Sequence, residues 1–272
     1  MAYKDILERI EHGLSVAMDI FQDFTPGEVE VDTKHGGDPI TKADTAVDTA
    51  LHDLLPRDGE GWLSEETVDD LTRLEKERVW IVDPLDGTKE FVTGIPEWCV
   101  SIAYSVAGQI VAAGICNPVT EEKFLACEED GIRLNGNLVR VKRRRSLVGA
   151  RILASRSEVN RGQWRCFADE PFSVVPTGSV AYKLALVAAG KADATFSLAP
   201  KNEWDIAAGA FLAQMAGGKV TTLDNKKLVF NQKDTVVNGL VAANPSLCRQ
   251  IHKLLAHQPD MIFNFNRDDV SR

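Results

Sequence analysis

Along the first two dozen residues the apolar positions Leu7, Ile10, Leu14, Ala17, Phe21 and Phe24 recur at alternating three- and four-residue steps. That spacing predicts an amphipathic helix, and Pro26 and Gly27 end it. From Ala43 to Leu55, Val47, Leu51 and Leu54 share one face of a second helix stopped by Pro56, with Asp44 and Asp48 one turn apart on it. The run Val79–Val82 reads as a buried strand, and Pro84 and Gly87 halt it. "WCVSIAYSV", the turn "AGQ", "IVAAGICNP" and "KFLACEEDGIRLNG" then predict an antiparallel sheet, with Asp-Gly and Asn-Gly as hairpin signals.

Beyond the basic run "VKRRRS" the rhythm changes to strand and helix in turn: "ARILAS", a helix over Ser179–Ala189 closed by Gly190, "ADATFSL", a helix over Asp205–Ala216 closed by Gly217, "GLVAAN", and a last helix from Ser246. Such alternation predicts α/β layering. The change divides the chain into an α+β domain, residues 1–147, and an α/β domain, residues 148–272. The tail from about Asp260, "DMIFNFNRDDVSR", fits no element, and no internal repeat is present.

Composition narrows the classes. With 272 residues and 44% hydrophobic content the chain can build a sizeable core. No apolar run approaches the roughly 20 residues of a membrane span, and "MAYKDILERIEHG" lacks a signal peptide's basic and apolar blocks, so a soluble, cytoplasmic protein is expected. The five cysteines are scattered among apolar runs like reduced core thiols. The five histidines form no metal-spaced pair, which disfavours a zinc or histidine-phosphatase mechanism. A net charge of −9 argues against a nucleic-acid polymer, and the basic run reads as a solvated interdomain face.

The chemistry concentrates in "VWIVDPLDGTKEF", where a buried strand ends on Asp83 and Asp86. A lone Asp-Gly is a turn. Five fixed identities in "DPLDGT", however, arise by chance in only about one chain of this length in several thousand. Two carboxylates on a stiff strand end, with a backbone carbonyl between them, make an oxygen cage for a hard divalent cation such as magnesium. "GWLSEET" adds Glu65 and Glu66 at the end of another apolar stretch, and "NEWDIAAGAF" adds Asp205 at a helix start. Taken singly, these acids read equally well as helix caps or first-turn acids.

Taken together, "DPITKAD", "LSEET", "WIVDPLDGTKEF", "DGIRLNG", "TGSVAYKLALVAAGKADA" and "EWDIAAG", spread from about Lys34 to Pro245, resemble the inositol monophosphatase superfamily of metal-dependent, lithium-sensitive phosphatases, which includes the 3'(2'),5'-bisphosphate nucleotidases. The resemblance implies an alternating α/β/α/β/α sandwich with the site between its halves. It implies two or three Mg2+ ions held by Glu65, Asp83, Asp86, Asp205 and the main-chain carbonyl of Leu85. It implies that Thr88 and Asp44 orient and deprotonate the attacking water, with Glu65 also part of the catalytic set. The amides of Gly87 and Thr88 are candidate anion donors. Glu66 has no assigned role, since the family's ligand is the first of the two glutamates.

For the substrate, the resemblance points to the nucleotidase branch. Lys89 follows "DGT", Lys183 stands seven residues before the glycine of "GKADA", and Leu198 replaces the glutamate that inositol phosphatases carry seven residues before the last metal-binding Asp. Adenosine 3',5'-bisphosphate is therefore the expected ester, with Ser179 and Lys183 as substrate contacts. One extra residue in "GSVAYK" shifts the register of Ser179 against bacterial nucleotidases. The alternatives are an inositol-1-phosphate or sugar-phosphate phosphatase, and a silent metal-binding regulatory protein. The implied partner is a small phosphorylated molecule, and dimers are common in the superfamily, so a homodimer is the assembly to test.

Overall fold

The structure is a computed structural model that describes residues 3–33 and 39–257. The helices are α1 (Lys4–Phe21), α2 (Lys42–Leu54), α3 (Thr88–Val92), α4 (Arg156–Asn160), α5 (Val180–Ala188), α6 (Glu203–Met215) and α7 (Pro245–Ala256). Strands β1 (Val31–Thr33) and β2 (Pro39–Thr41) form a small hairpin-like pair. They are followed by β3 (Gly61–Ser64), β4 (Arg78–Asp86), β5 (Cys99–Val106), β6 (Gln109–Asn117), β7 (Glu122–Cys127), β8 (Gly131–Leu134) and β9 (Asn137–Leu138). The second half contributes β10 (Arg151–Ser155), β11 (Ser173–Thr177), β12 (Ala194–Ser197), β13 (Lys201–Asn202), β14 (Lys219–Thr222), β15 (Val236–Val237) and β16 (Leu240–Ala243).

Strands β3 to β9 lie in chain order in one seven-stranded sheet, parallel only between β3 and β4. The second sheet runs β11-β10-β12-β16-β14, parallel from β11 to β12 and antiparallel beyond. Along β4, Trp80 and Val82 pack with Ile10, Leu14 and Leu51 of α1 and α2, while Val79 and Ile81 face α5 and α6. Along β16, Leu240 and Ala242 face α5 and α6, while Val241 and Ala243 face α7. Both faces of both sheets are therefore covered, which is why these strands read as continuous apolar runs rather than alternating ones. The result is the alternating α/β/α/β/α sandwich.

The middle layer explains α6. Packed between two sheets, it buries residues on all sides, and its alanines and Gly209 keep it slim. A Cβ on Gly209 would stand 2.6 Å from Cβ of Leu184 on α5, so the two helices cross at a distance only glycine permits.

Helices α1, α2, α5, α6 and α7 and the main strands fall where the apolar pattern put them. The pattern did not reveal α4, β11, β14 or the short β1–β2 and β13–β15 pairs. Strand β11 carries Pro176, which is tolerated because β11 is an edge strand, and the others are too short to show a period. The unassigned tail from about Asp260 lies outside the described residues.

One polar cluster pins α1 to the first sheet. Glu60 accepts hydrogen bonds from Nη2 of Arg9 (2.8 Å), Nε1 of Trp80 (2.9 Å), the hydroxyl of Tyr104 (2.7 Å) and the amide of Arg57 (3.0 Å). Burial opposes its charge, but these donors outweigh burial and pull the carboxyl down to about 2. A folded pKa below the unfolded one gives stability that is complete above about pH 4.5 and lost as pH falls toward 2. Glu60→Gln should therefore lower the melting temperature at pH 7 and flatten its fall between pH 4.5 and 2. Parallel melting curves for both proteins across that window would contradict this.

Candidate active site

Strand β4 reaches the cleft through an irregularity. Asp83 pairs with Ser101 and Asp86 with Cys99, so three steps on β4 match two on β5. This bulge sits at Pro84, which has no amide to offer the ladder. Asp83 is buried and accepts the amide of Leu85 at 3.0 Å. The Leu85 side chain anchors the turn in the core under α1, and its carbonyl lies 3.2 Å from Oγ1 of Thr88.

Glu65 follows β3. The hydroxyls of Ser64 and Thr67, on either side of it, both donate to the buried Asp48 of α2, the latter at 2.7 Å. Asp205 sits in the first turn of α6 and accepts the amide of Asn202 at 2.9 Å. These three elements converge so that carboxylate oxygens of Glu65, Asp83 and Asp205 lie within 4.8 Å of one another. Burial drives the Asp205 carboxyl well above the carboxylate range, and the charges of Asp86 and Glu65 push the same way while Lys201 opposes them. Three hard oxygen donors that repel one another unless a cation joins them fit a divalent metal by the chemistry of the donor set.

Asp86 lines the same cleft but turns one oxygen toward α5. Its Oδ2 accepts the hydroxyl of Ser179 and the amide of Ala181, both at 2.6 Å. Burial raises its pKa, against the pull of Ser179, Lys183 and Ala181. Ser179 is the N-cap of α5 and also accepts the amide of Tyr182 at 2.9 Å. The preceding Gly178 is required: a Cβ there would stand 2.4 Å from the Glu90 side chain. Lys183 does not lie on a solvent face, being only 2% exposed. Its ammonium donates to the carbonyls of Thr177 (3.2 Å), Gly178 (3.2 Å) and Ser179 (2.8 Å). Burial lowers its pKa to about 8, with Asp86 opposing.

Thr88 opens α3, after Gly87, and its hydroxyl is 3.2 Å from Oδ1 of Asp44. The other oxygen of Asp44 accepts both the amide (2.8 Å) and the hydroxyl (2.6 Å) of Thr41. Asp44 thus caps α2 and faces Thr88 at once. Glu66 is not one of the three clustered carboxylates. Glu65, Leu85, Asp86, Gly87, Thr88, Ser179, Lys183 and Asp205 line a cleft of about 220 Å³, whose walls also carry Lys89, Glu90, Arg156 and Lys201. Arg156, Lys201 and Asp48 escaped the sequence reading. The only signal for Lys201 was a lysine four residues before Asp205, and Asp48 betrayed itself only by its helical step from Asp44.

Fold and cleft together define a metal-dependent hydrolase with a carboxylate cage between its two sheets. The chain belongs to the inositol monophosphatase family, whose family model matches residues 8–258; members of the family are metal-dependent phosphatases. It is 34% identical over 257 residues to an inositol-1-monophosphatase of Mesorhizobium japonicum, covering 90% of this chain and 93% of that one. It is 30% identical over 245 residues to the Nus factor SuhB of Escherichia coli, covering 87% and 88%. Among solved structures, an IMPase of Thermotoga maritima superposes with a TM-score of 0.80 at 25% identity, covering 96% of this chain and all of that one.

Repulsion within the cage should be measurable without metal. Asp205→Asn keeps an oxygen for the Asn202 amide and ends the cost of either protonating this buried carboxyl or holding its charge beside Asp86 and Glu65, so in EDTA its melting temperature should rise by about 2–4 °C, while turnover is lost. An unchanged or lower melting temperature would show that the three carboxylates do not strain the fold.

Proposed function

We propose that this chain is a Mg2+-dependent phosphomonoesterase acting on a small phosphorylated molecule. The observation that carries the reading is the convergence of Glu65, Asp83 and Asp205 within 4.8 Å, beside a Thr88–Asp44 pair. Glu65, Asp83, Asp86, Asp205 and the Leu85 carbonyl would hold two or three ions. When bound, magnesium offsets the charge of the phosphoryl and departing oxygens and makes water acidic enough to attack. The Thr88 hydroxyl orients that water and relays its proton to Oδ1 of Asp44, the oxygen to which it already donates. The amides of Gly87 and Thr88 face the anion. The proposal carries with it a cytoplasmic enzyme and a homodimer.

For the ester we propose adenosine 3',5'-bisphosphate, converted to AMP and phosphate. Lys89, Arg156 and Lys201 line the cleft and suit a substrate with more than one phosphate. Leu198 is buried in the core beneath α7, so that position offers no acceptor for an inositol hydroxyl. Ser179 and Lys183 act in this reading by holding Asp86 and the 177–179 turn beside the substrate. Inositol 1-phosphate is the second reading, favoured by the name of the M. japonicum relative.

Phosphate release from adenosine 3',5'-bisphosphate, adenosine 3'-monophosphate and inositol 1-phosphate, with Mg2+ and with EDTA, separates these readings. The expected order places the bisphosphate first, and EDTA abolishes every activity. A preference for inositol 1-phosphate would overturn the substrate assignment, and silence toward all three would favour a regulatory protein. Lys183→Ala should lower the specificity constant for every ester alike. A loss of about 10- to 150-fold confined to the bisphosphate would instead assign Lys183 to the second phosphate.

A further inference from the structure

Outside the cleft, a buried arginine ties together the segments that carry two of the clustered carboxylates. Arg73, 1% exposed, follows Glu65 on the connection between β3 and β4. Its guanidinium grips Asp69 of that connection through Nε (3.1 Å) and Nη2 (2.8 Å). It also donates to Oδ1 of Asn231 (2.7 Å) and to the carbonyl of Gln232 (2.9 Å), and Nδ2 of Asn231 donates back to the Arg73 carbonyl (3.3 Å). From the opposite side Glu203, also 1% exposed, accepts the amides of Asn231 (2.6 Å) and Gln232 (2.8 Å). Glu203 begins α6, two residues before Asp205.

The segment at Asn231 and Gln232 is thus held between the Glu65 connection and the start of α6, across more than 150 residues of sequence. None of these five residues, Arg73, Asp69, Asn231, Gln232 and Glu203, lines the cleft. A buried ion pair is weak evidence for stability, because an apolar core of the same volume often does as well. What a planar fork with several fixed partners supplies is position. Glu65 and Asp205 must stay close although their charges repel, and the fork opposes their separation.

We infer that Arg73 is a positioning residue of the metal site, acting through Asn231, Gln232 and Glu203 to hold Glu65 and Asp205 at metal-binding separation. The inference rests on the reading that Glu65, Asp83 and Asp205 hold a divalent ion. The fork, and not the charge alone, is the operative feature, so a lysine in its place restores little.

The test is Mn2+ binding by the full chain, stripped with EDTA and without substrate, followed by the electron paramagnetic resonance signal of free Mn2+. Arg73→Met should weaken binding by about 10- to 100-fold, the range for partners that orient metal ligands. Arg73→Lys should recover less than half of that loss on a logarithmic scale, and Asn231→Ala, which removes one receiving contact, should show a smaller loss if Arg73→Met fails to fold. Phe167→Leu, in the core beneath α7, serves as a destabilised control that should bind Mn2+ like the wild type. Equal affinity in the wild type, Arg73→Met and Asn231→Ala would overturn the inference. So would a loss in Phe167→Leu that matches Arg73→Met at an equal drop in melting temperature, and so would full rescue by lysine. No Mn2+ binding by the wild type would instead sink the metal-site reading beneath it.

Discussion

Three carboxylates within 4.8 Å of one another are the constraint around which this fold is arranged. Each ionised pair at that range costs roughly 3–4 kcal/mol at the effective dielectric of a protein site, so a flexible chain would let them drift apart. Here none of the three sits on a free loop tip. Asp83 is fixed in a bulge of a central strand, Glu65 follows a strand end whose flanking hydroxyls are tied to Asp48, and Asp205 is in the first turn of a helix enclosed by two sheets. Rigid elements hold the carboxylates close, and the proposed cation would satisfy them.

The middle layer follows from that demand. Both of its helices begin at the cleft: α6 with Asp205 in its first turn, and α5 with Ser179 and Ala181 donating to Asp86. Their positive ends therefore face an acidic cage and whatever anion approaches it. For two helix starts to reach one cleft, α5 and α6 must pack closely between the sheets, which is the reason for Gly209 against Leu184 and for the alanines of α6.

Much of this was legible in the sequence, and what was not had a common cause. "DPLDGT" announces itself because acids next to an apolar run break the ordinary pattern of burial, while "EWDIAAG" gains meaning only beside it. Lys183 could not be placed from the pattern because α5 is apolar on nearly all sides: a helix between two sheets has no solvent face on which to place a lysine, and periodicity cannot say where its ammonium goes. Three carbonyls at a helix start receive it, beside the cleft. Arg73 lies in "DDLTRLEKER", a stretch whose charge density reads as surface, and its burial depends on Asn231 and Gln232, which no local window contains. Partners distant in sequence are where local reading ends.

Asp44 shows why the bland and the functional readings of a residue need not compete. As a helix cap its Oδ2 takes two donors from Thr41, and those bonds stop the carboxylate from turning about its own axis. With that oxygen held, Oδ1 is turned to accept from Thr88. In the proposed mechanism the cap therefore sets the aim of the base. The same logic holds for Asp205, whose bond to the Asn202 amide fixes one oxygen at the start of α6 while the carboxylate lies against Glu65 and Asp83. In both places a local rule of helix termini contributes to the preorganisation that phosphoryl chemistry requires.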